Sequence, residues 1–171
     1  MKKIFIFLFL IPLINFCQEK RGYIVNIGDK SPEFSINEKN FFKQNKGKVI
    51  MLQFTASWCS VCIREMPYIE KEIWLKHKEN EDFVLIALAK DTEQYPQGTK
   101  EITQMIEKTE VTYPIFRDEN SKIFNLFAEN KAGVTRNVII DKKGNIAFLT
   151  RLFERNEFNE MKNKINNLLN N

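Results

Sequence analysis

The sequence predicts an α/β domain in which helices cover both faces of a mixed sheet. Three observations carry that class. Two near-continuous apolar runs, residues 49–54 and 83–89, have strand length, and such a run, interrupted only by Gln53, suits a strand covered on both faces. Between and after them lie segments whose apolar residues recur at three-and-four spacing, the pattern of a helix with one buried face. Near the carboxy terminus, two short apolar runs flank Asp141-Lys142-Lys143-Gly144-Asn145, a hairpin turn. Strands separated by helices pair in parallel, and the late hairpin adds antiparallel strands.

In chain order, residues 22–30 are a lead-in, and 31–36 alternate as a short edge strand does. Residues 40–48 are polar, punctuated by Gly47. The first buried strand, 49–54, runs into a helix over 60–78 with Met66, Ile69, Ile73 and Trp74 on its buried face. The second buried strand, 83–89, leads through a loop at 95–98 to a helix over 99–108 carrying Ile102, Met105 and Ile106. A short strand at 113–116 and a short helix at 121–128 precede the hairpin strands 137–140 and 146–150. An amphipathic helix over 155–169, with Phe158, Met161, Ile165 and Leu168, closes the chain.

Composition narrows the possible roles. The 171 residues suit one domain at about 150 residues per domain. The chain is 43% hydrophobic and 28% charged, so it can bury a core and does not read as disordered. Its formal net charge of +4 includes Lys2 and Lys3 of a targeting segment, and the remaining charge is scattered. Nucleic acid is therefore not an expected partner. Three cysteines are too few for a disulfide-stapled scaffold.

Residues 1–17 read as an export signal. Lys2 and Lys3 precede an apolar run over 4–14, long enough for a signal core and too short to span a bilayer. Asn15-Phe16-Cys17-Gln18 leaves two outcomes open, cleavage after Cys17 or lipidation of Cys17 as the first mature residue. Phe16 departs from the small residue that usually precedes a lipidated cysteine. Either outcome exports the domain, which is expected over residues 22–171, to the periplasm or cell envelope.

The chemistry lies in Trp58-Cys59-Ser60-Val61-Cys62, where a buried strand turns into a helix. Unpaired amides at a helix start carry partial positive charge and stabilise a thiolate at the first cysteine. Thiols of this spacing and setting have pKa values of roughly 3.5–7.5, against about 8.5 for a free thiol. Cys59 is then the exposed nucleophile, and Cys62, one turn on, is more shielded and close enough to form a disulfide. Zinc is a weaker reading, because a structural site needs four ligands and His77 lies four turns along the helix. A purely structural disulfide is weaker too, since so short a loop constrains the unfolded chain little. No metal and no cofactor are expected.

The segment from Gln53 to Cys62, followed by Glu65-Met66-Pro67, resembles the active-site segment of thioredoxin-fold proteins, most closely the exported TlpA/ResA-like thiol–disulfide oxidoreductases. The likeness runs from Gly28-Asp29-Lys30-Ser31-Pro32-Glu33-Phe34 to the last helix. It implies a thioredoxin-like three-layer α/β/α sandwich with a mixed sheet. It implies further that Trp58 packs beside the nucleophile, that Pro67 kinks the active-site helix, and that Glu65 tunes the thiols or relays protons from Cys62. Trp58 as a core aromatic and Glu65 as a solvated helix charge are the plainer readings. Two departures stand out. Gln53 occupies the position of a buried aspartate common in thioredoxins, and Gln cannot act as a base. Thr135 occupies the position of a cis-proline facing the dithiol. A non-proline cis bond costs about 3 kcal/mol, so a trans bond is expected there. Thr135 and Arg136 still line the site in this reading, with Arg136 favouring a thiolate.

The expected function is reduction of disulfides in protein substrates through Cys59 and Cys62. For this group the resemblance implies cytochrome c precursors as substrates and a membrane thiol donor of electrons. A thiol peroxidase of the peroxiredoxin class is an alternative, but Ala56 and Leu52 stand where those enzymes have threonine and proline. A redox-inert binding protein on the same scaffold is the other, and Thr135 gives it some support.

Overall fold

The computed structural model describes residues 21–170. The proposed signal and Cys17 lie outside them. A small antiparallel hairpin, β1 (Ser35–Ile36) and β2 (Lys39–Asn40), leads into α1 (Phe41–Gln44). Then come β3 (Val49–Thr55), α2 (Ser60–Ile69), a π-helical turn (Glu70–Trp74) and α3 (Leu75–His77). These are followed by β4 (Phe83–Lys90), α4 (Thr99–Thr109), β5 (Ile115–Asp118), a 3₁₀ turn (Glu119–Ser121) and α5 (Phe124–Phe127). The chain closes with β6 (Arg136–Ile140), β7 (Ile146–Arg151) and α6 (Arg155–Leu169).

The main sheet has the order β5-β4-β3-β6-β7. β3, β4 and β5 are parallel, whereas β6 runs antiparallel to β3, and β7 antiparallel to β6. The expected mixed sheet is thus present, with β3 at its centre. Strand alternation splits the interior into two cores. Ile50, Leu52 and Phe54 face Phe41, Phe124 and Phe127 on one side. Val49 and Met51 face Met66, Ile69, Phe158 and Met161 on the other. Helices α2, α4 and α6 cover this second side, which completes the three-layer sandwich.

Several elements differ from the sequence expectation. The edge strand expected over 31–36 is confined to β1 and pairs with β2 in a separate hairpin, and the helix expected over 121–128 is reduced to α5 after a 3₁₀ turn. Residues 41–44 form a helical turn, capped by Asn40, whose side chain accepts from the Lys43 amide at 2.8 Å. The long helix expected over 60–78 is interrupted by the π turn, which begins three residues after Pro67. Proline has no amide to give its preceding turn, and π turns inside helices are a common response to a disturbed ladder. The edge strand begins at Ile115 rather than 113, because Pro114 cannot donate and Tyr113 is buried with its hydroxyl on Gln53.

Candidate active site

β3 is completely buried, and its end delivers the chain through Ala56-Ser57-Trp58 to the start of α2. Cys59 is the N-cap of that helix. Its Sγ accepts from the Cys62 amide at 3.2 Å, so an unpaired helix-start donor is spent on the sulfur. Cys59 and Cys62 are joined as a disulfide with their Cα atoms 5.3 Å apart. Cys59 keeps 8% exposure and Cys62 none, the ordering expected of an attacking and a resolving thiol.

Thr135 lies just before β6, opposite the dithiol. Its Oγ1 is 3.2 Å from Cys59 Sγ and 3.2 Å from Cys62 Sγ. The peptide bond preceding it is trans, as are all others among the described residues. Beside the pair, Trp58 is 46% exposed, so the core-aromatic reading does not hold. Its ring lies 4.9 Å from that of Tyr95, which the loop after β4 supplies. The two rings border a groove of about 650 Å³ whose other lining includes Asn125, Lys131 and Gly133.

Below the dithiol sits a buried polar cluster. Glu65 is one turn beyond Cys62 on α2 and is 1% exposed, so it is not a solvated helix charge. Its Oε1 accepts from Asn137 Nδ2 at 2.7 Å, and its Oε2 has no partner among the described residues. Asn137 Nδ2 also donates to Thr150 Oγ1 at 3.0 Å, while Gln53 Oε1 accepts from the Tyr113 hydroxyl at 2.8 Å. Gln53 Nε2 and Asn137 Oδ1 are likewise without a partner among the described residues. Burial pushes the Glu65 carboxyl up to about 7, against the smaller opposing effect of the Asn137 hydrogen bond and the neighbouring Gln53 amide. A carboxyl with that affinity exchanges its proton near neutral pH, which is what acid–base work requires.

Strand parity explains where Arg136 goes. Asn137 faces α2, so Arg136 points to the opposite side of the sheet. There its guanidinium lies 4.4 Å from the Tyr23 ring and donates to Gly133 O at 2.9 Å and Arg21 O at 2.7 Å. Among the described residues no hydrogen bond joins it to either sulfur. Pro67 sits inside α2, half-buried, one turn before the π segment.

The structure therefore brings Cys59, Cys62, Thr135 and Trp58 together, with Glu65 one turn behind them. Asn137, Thr150, Tyr113 and Tyr95 were not singled out from sequence. The available signal was polarity in the wrong place, since Gln53 and Asn137 interrupt or adjoin strand runs that are otherwise apolar.

Comparison with known proteins follows the same lines. A family model described as Redoxin matches residues 26–169. The thiol–disulfide oxidoreductase ResA of Oceanobacillus iheyensis is 27% identical over 113 residues, 61% of this chain. The match spans only 55% of that protein's length. ResA of Geobacillus thermodenitrificans is 24% identical over 136 residues, 77% of this chain and 72% of that one. Among solved structures, a candidate protein disulfide isomerase from Bacteroides thetaiotaomicron superposes with a TM-score of 0.80. It is 45% identical and covers 88% of this chain and 94% of its own. A structure assigned to the thiol:disulfide interchange protein DsbE of Chlorobium tepidum, 20% identical, superposes at 0.69 over 85% of this chain and 99% of its own, which supports the fold.

Proposed function

We propose that this chain, which belongs to the Redoxin family and is a thiol–disulfide oxidoreductase, works as a reductase of protein disulfides in the cell envelope. The observation that carries the exchange chemistry is the pairing of a closable dithiol with a buried carboxyl one turn behind the resolving cysteine, while the reductive direction rests on the family resemblance.

The reduced pair acts in two displacements. The Cys59 thiolate, favoured by the helix-start amide, attacks one sulfur of a substrate disulfide and expels the other as a thiolate. Cys62 then loses its proton, attacks Cys59 Sγ and releases the reduced substrate, leaving the Cys59–Cys62 disulfide. Glu65 serves as the proton acceptor for Cys62. Its carboxyl is neutral below about pH 7 and becomes a base above it, and its free Oε2 is available for a proton. Trp58 and Thr135 border the mouth through which substrate reaches Cys59, and Pro67 sets the course of the helix behind it. The lysine-bearing apolar leader over 1–17 supports an exported protein, cleaved after Cys17 or lipidated there. Electrons would then come from a membrane thiol donor, with cytochrome c precursors among the substrates. Among the described residues no helix is long and apolar enough to cross a membrane.

The test is the equilibrium reduction potential of the Cys59–Cys62 pair. A value below about −230 mV is expected of a reductant, whereas one above about −180 mV would overturn the direction.

A further inference from the structure

The Thr135 hydroxyl is 4% exposed as part of its residue, and among the described residues its side-chain partners are two atoms, Cys59 Sγ and Cys62 Sγ. In the disulfide neither sulfur carries a proton. The hydroxyl is therefore the donor in both contacts, sharing one hydrogen between two equidistant acceptors at 3.2 Å. A buried hydroxyl is normally held by backbone or by another polar side chain. This one is aimed at the two atoms whose charge changes during exchange.

We propose that Thr135 is a catalytic residue, a hydrogen-bond donor that serves whichever sulfur bears the negative charge. The inference rests on the reading of the pair as an exchanging dithiol. In the reduced protein the hydroxyl donates to the Cys59 thiolate, alongside the Cys62 amide. When Cys59 attacks a disulfide R–S–S–R′, a Cys59–S–S–R bond forms, the S–S bond of the substrate breaks, and R′–S⁻ leaves and is protonated by solvent. Cys59 then carries no charge. The Thr135 hydrogen swings to Cys62, whose proton has passed to Glu65. The Cys62 thiolate attacks Cys59 Sγ, forms the Cys59–Cys62 disulfide, and expels R–S⁻. Two electrons pass from the dithiol to the substrate. Cys62 gains more from Thr135 than Cys59 does, because among the described residues a backbone amide reaches Cys59 Sγ and none reaches Cys62 Sγ. A side chain without a hydroxyl at this position, valine or proline, cannot act in this way.

Hydrogen bonds to charged groups are about twice as strong as neutral ones, so losing one of two donors should be readable in the titration of Cys59. The experiment compares the purified protein with Thr135→Val, Thr135→Ala and Thr135→Ser. Thiolate absorbance and the rate of alkylation by iodoacetamide are followed against pH. The lifetime of the mixed disulfide formed with glutathione disulfide is measured by acid quench and mass spectrometry.

Thr135→Val is expected to raise the Cys59 titration by about one pH unit, a tenfold change in thiolate affinity for protons. It should also lengthen the mixed-disulfide lifetime about tenfold at neutral pH. Thr135→Ser should restore both. Thr135→Ala carries the same readings should the valine variant fail to fold. Coincident titrations and lifetimes for wild type and the hydroxyl-free variants would overturn the role of Thr135. A wild-type protein that never attacks glutathione disulfide would instead overturn the oxidoreductase reading beneath it.

Discussion

Glu65 and Glu70 lie five residues apart on one helical path, and both are buried, at 1% and 6% exposure. Their surroundings differ in kind. Glu70 is satisfied on both oxygens by one residue, for Thr112 donates its amide at 2.9 Å and its hydroxyl at 2.7 Å. Thr112 is tied in turn to the Trp74 indole, which donates to its Oγ1 at 2.9 Å. That carboxylate is a strut between the π turn and the loop before β5. Glu65 is more deeply buried, with one amide hydrogen bond from Asn137 and no protein partner for its second oxygen among the described residues. Burial of a carboxyl is therefore not itself a sign of chemistry. What marks the working group is incomplete satisfaction beside a reactive atom.

The largest effect that can break this contrast is on stability. The folded Glu65 carboxyl titrates near 7, against an ordinary value of 4.5, so the native state holds its proton more tightly than the unfolded state does. For an acid raised in this way, stability is greatest below about pH 4.5 and falls as pH rises towards 7, by about 3 kcal/mol in all. Thr135 and the cysteines do not enter this balance when the disulfide is closed. Chemical denaturation of the oxidised protein at pH 5 and pH 8 measures it, and Glu65→Gln is expected to remove most of the difference. An unchanged pH dependence in Glu65→Gln would mean that the carboxyl is charged and compensated in the fold.

A second comparison concerns rate. Glu65→Gln cannot accept a proton, and resolution of the mixed disulfide is expected to slow by about 100-fold at pH 8. The rise of the rate through pH 7 should vanish with it. Stopped-flow measurements across pH 5.5–8.5 give both readings, and retention of the inflection would assign it to another group.

The smallest effect sharpens the contrast from the other side. Glu70→Gln keeps one acceptor for Thr112 and loses the other, at about 1 kcal/mol of stability. Its exchange kinetics and pH profile should match wild type. A shifted profile would show that Glu70 is coupled to the thiols after all.

Much of the site is legible in the amino-acid sequence alone. The spacing of Cys59 and Cys62, placed between an apolar strand run and a helical pattern, is local information, and α6 falls on the residues that its periodicity marks, Arg155–Leu169. Local pattern failed where a single residue changes the ladder. The π turn follows Pro67, and β5 starts two residues late because of Pro114. It failed also for Arg136, whose neighbour in sequence touches both sulfurs while its own guanidinium lies across the sheet on Tyr23. Successive side chains of an extended chain point to opposite faces, so one position decides the matter.

The sequence by itself determined the fold class and the dithiol, because both rest on periodicity and spacing within a few turns of chain. It could not determine which polar residues meet. Asn137 reaches Glu65 across 72 residues, and Thr135 reaches Cys59 across 76. Those meetings depend on β6 lying antiparallel beside β3 in one register, with Gln53 opposite Asn137. A slip of one residue would turn Asn137 away from α2 and bring Arg136 towards it. The proton affinity of Glu65 depends on the burial that α2, β3 and β6 impose on it. Desolvation is a property of the packed interior, and no stretch of sequence carries it.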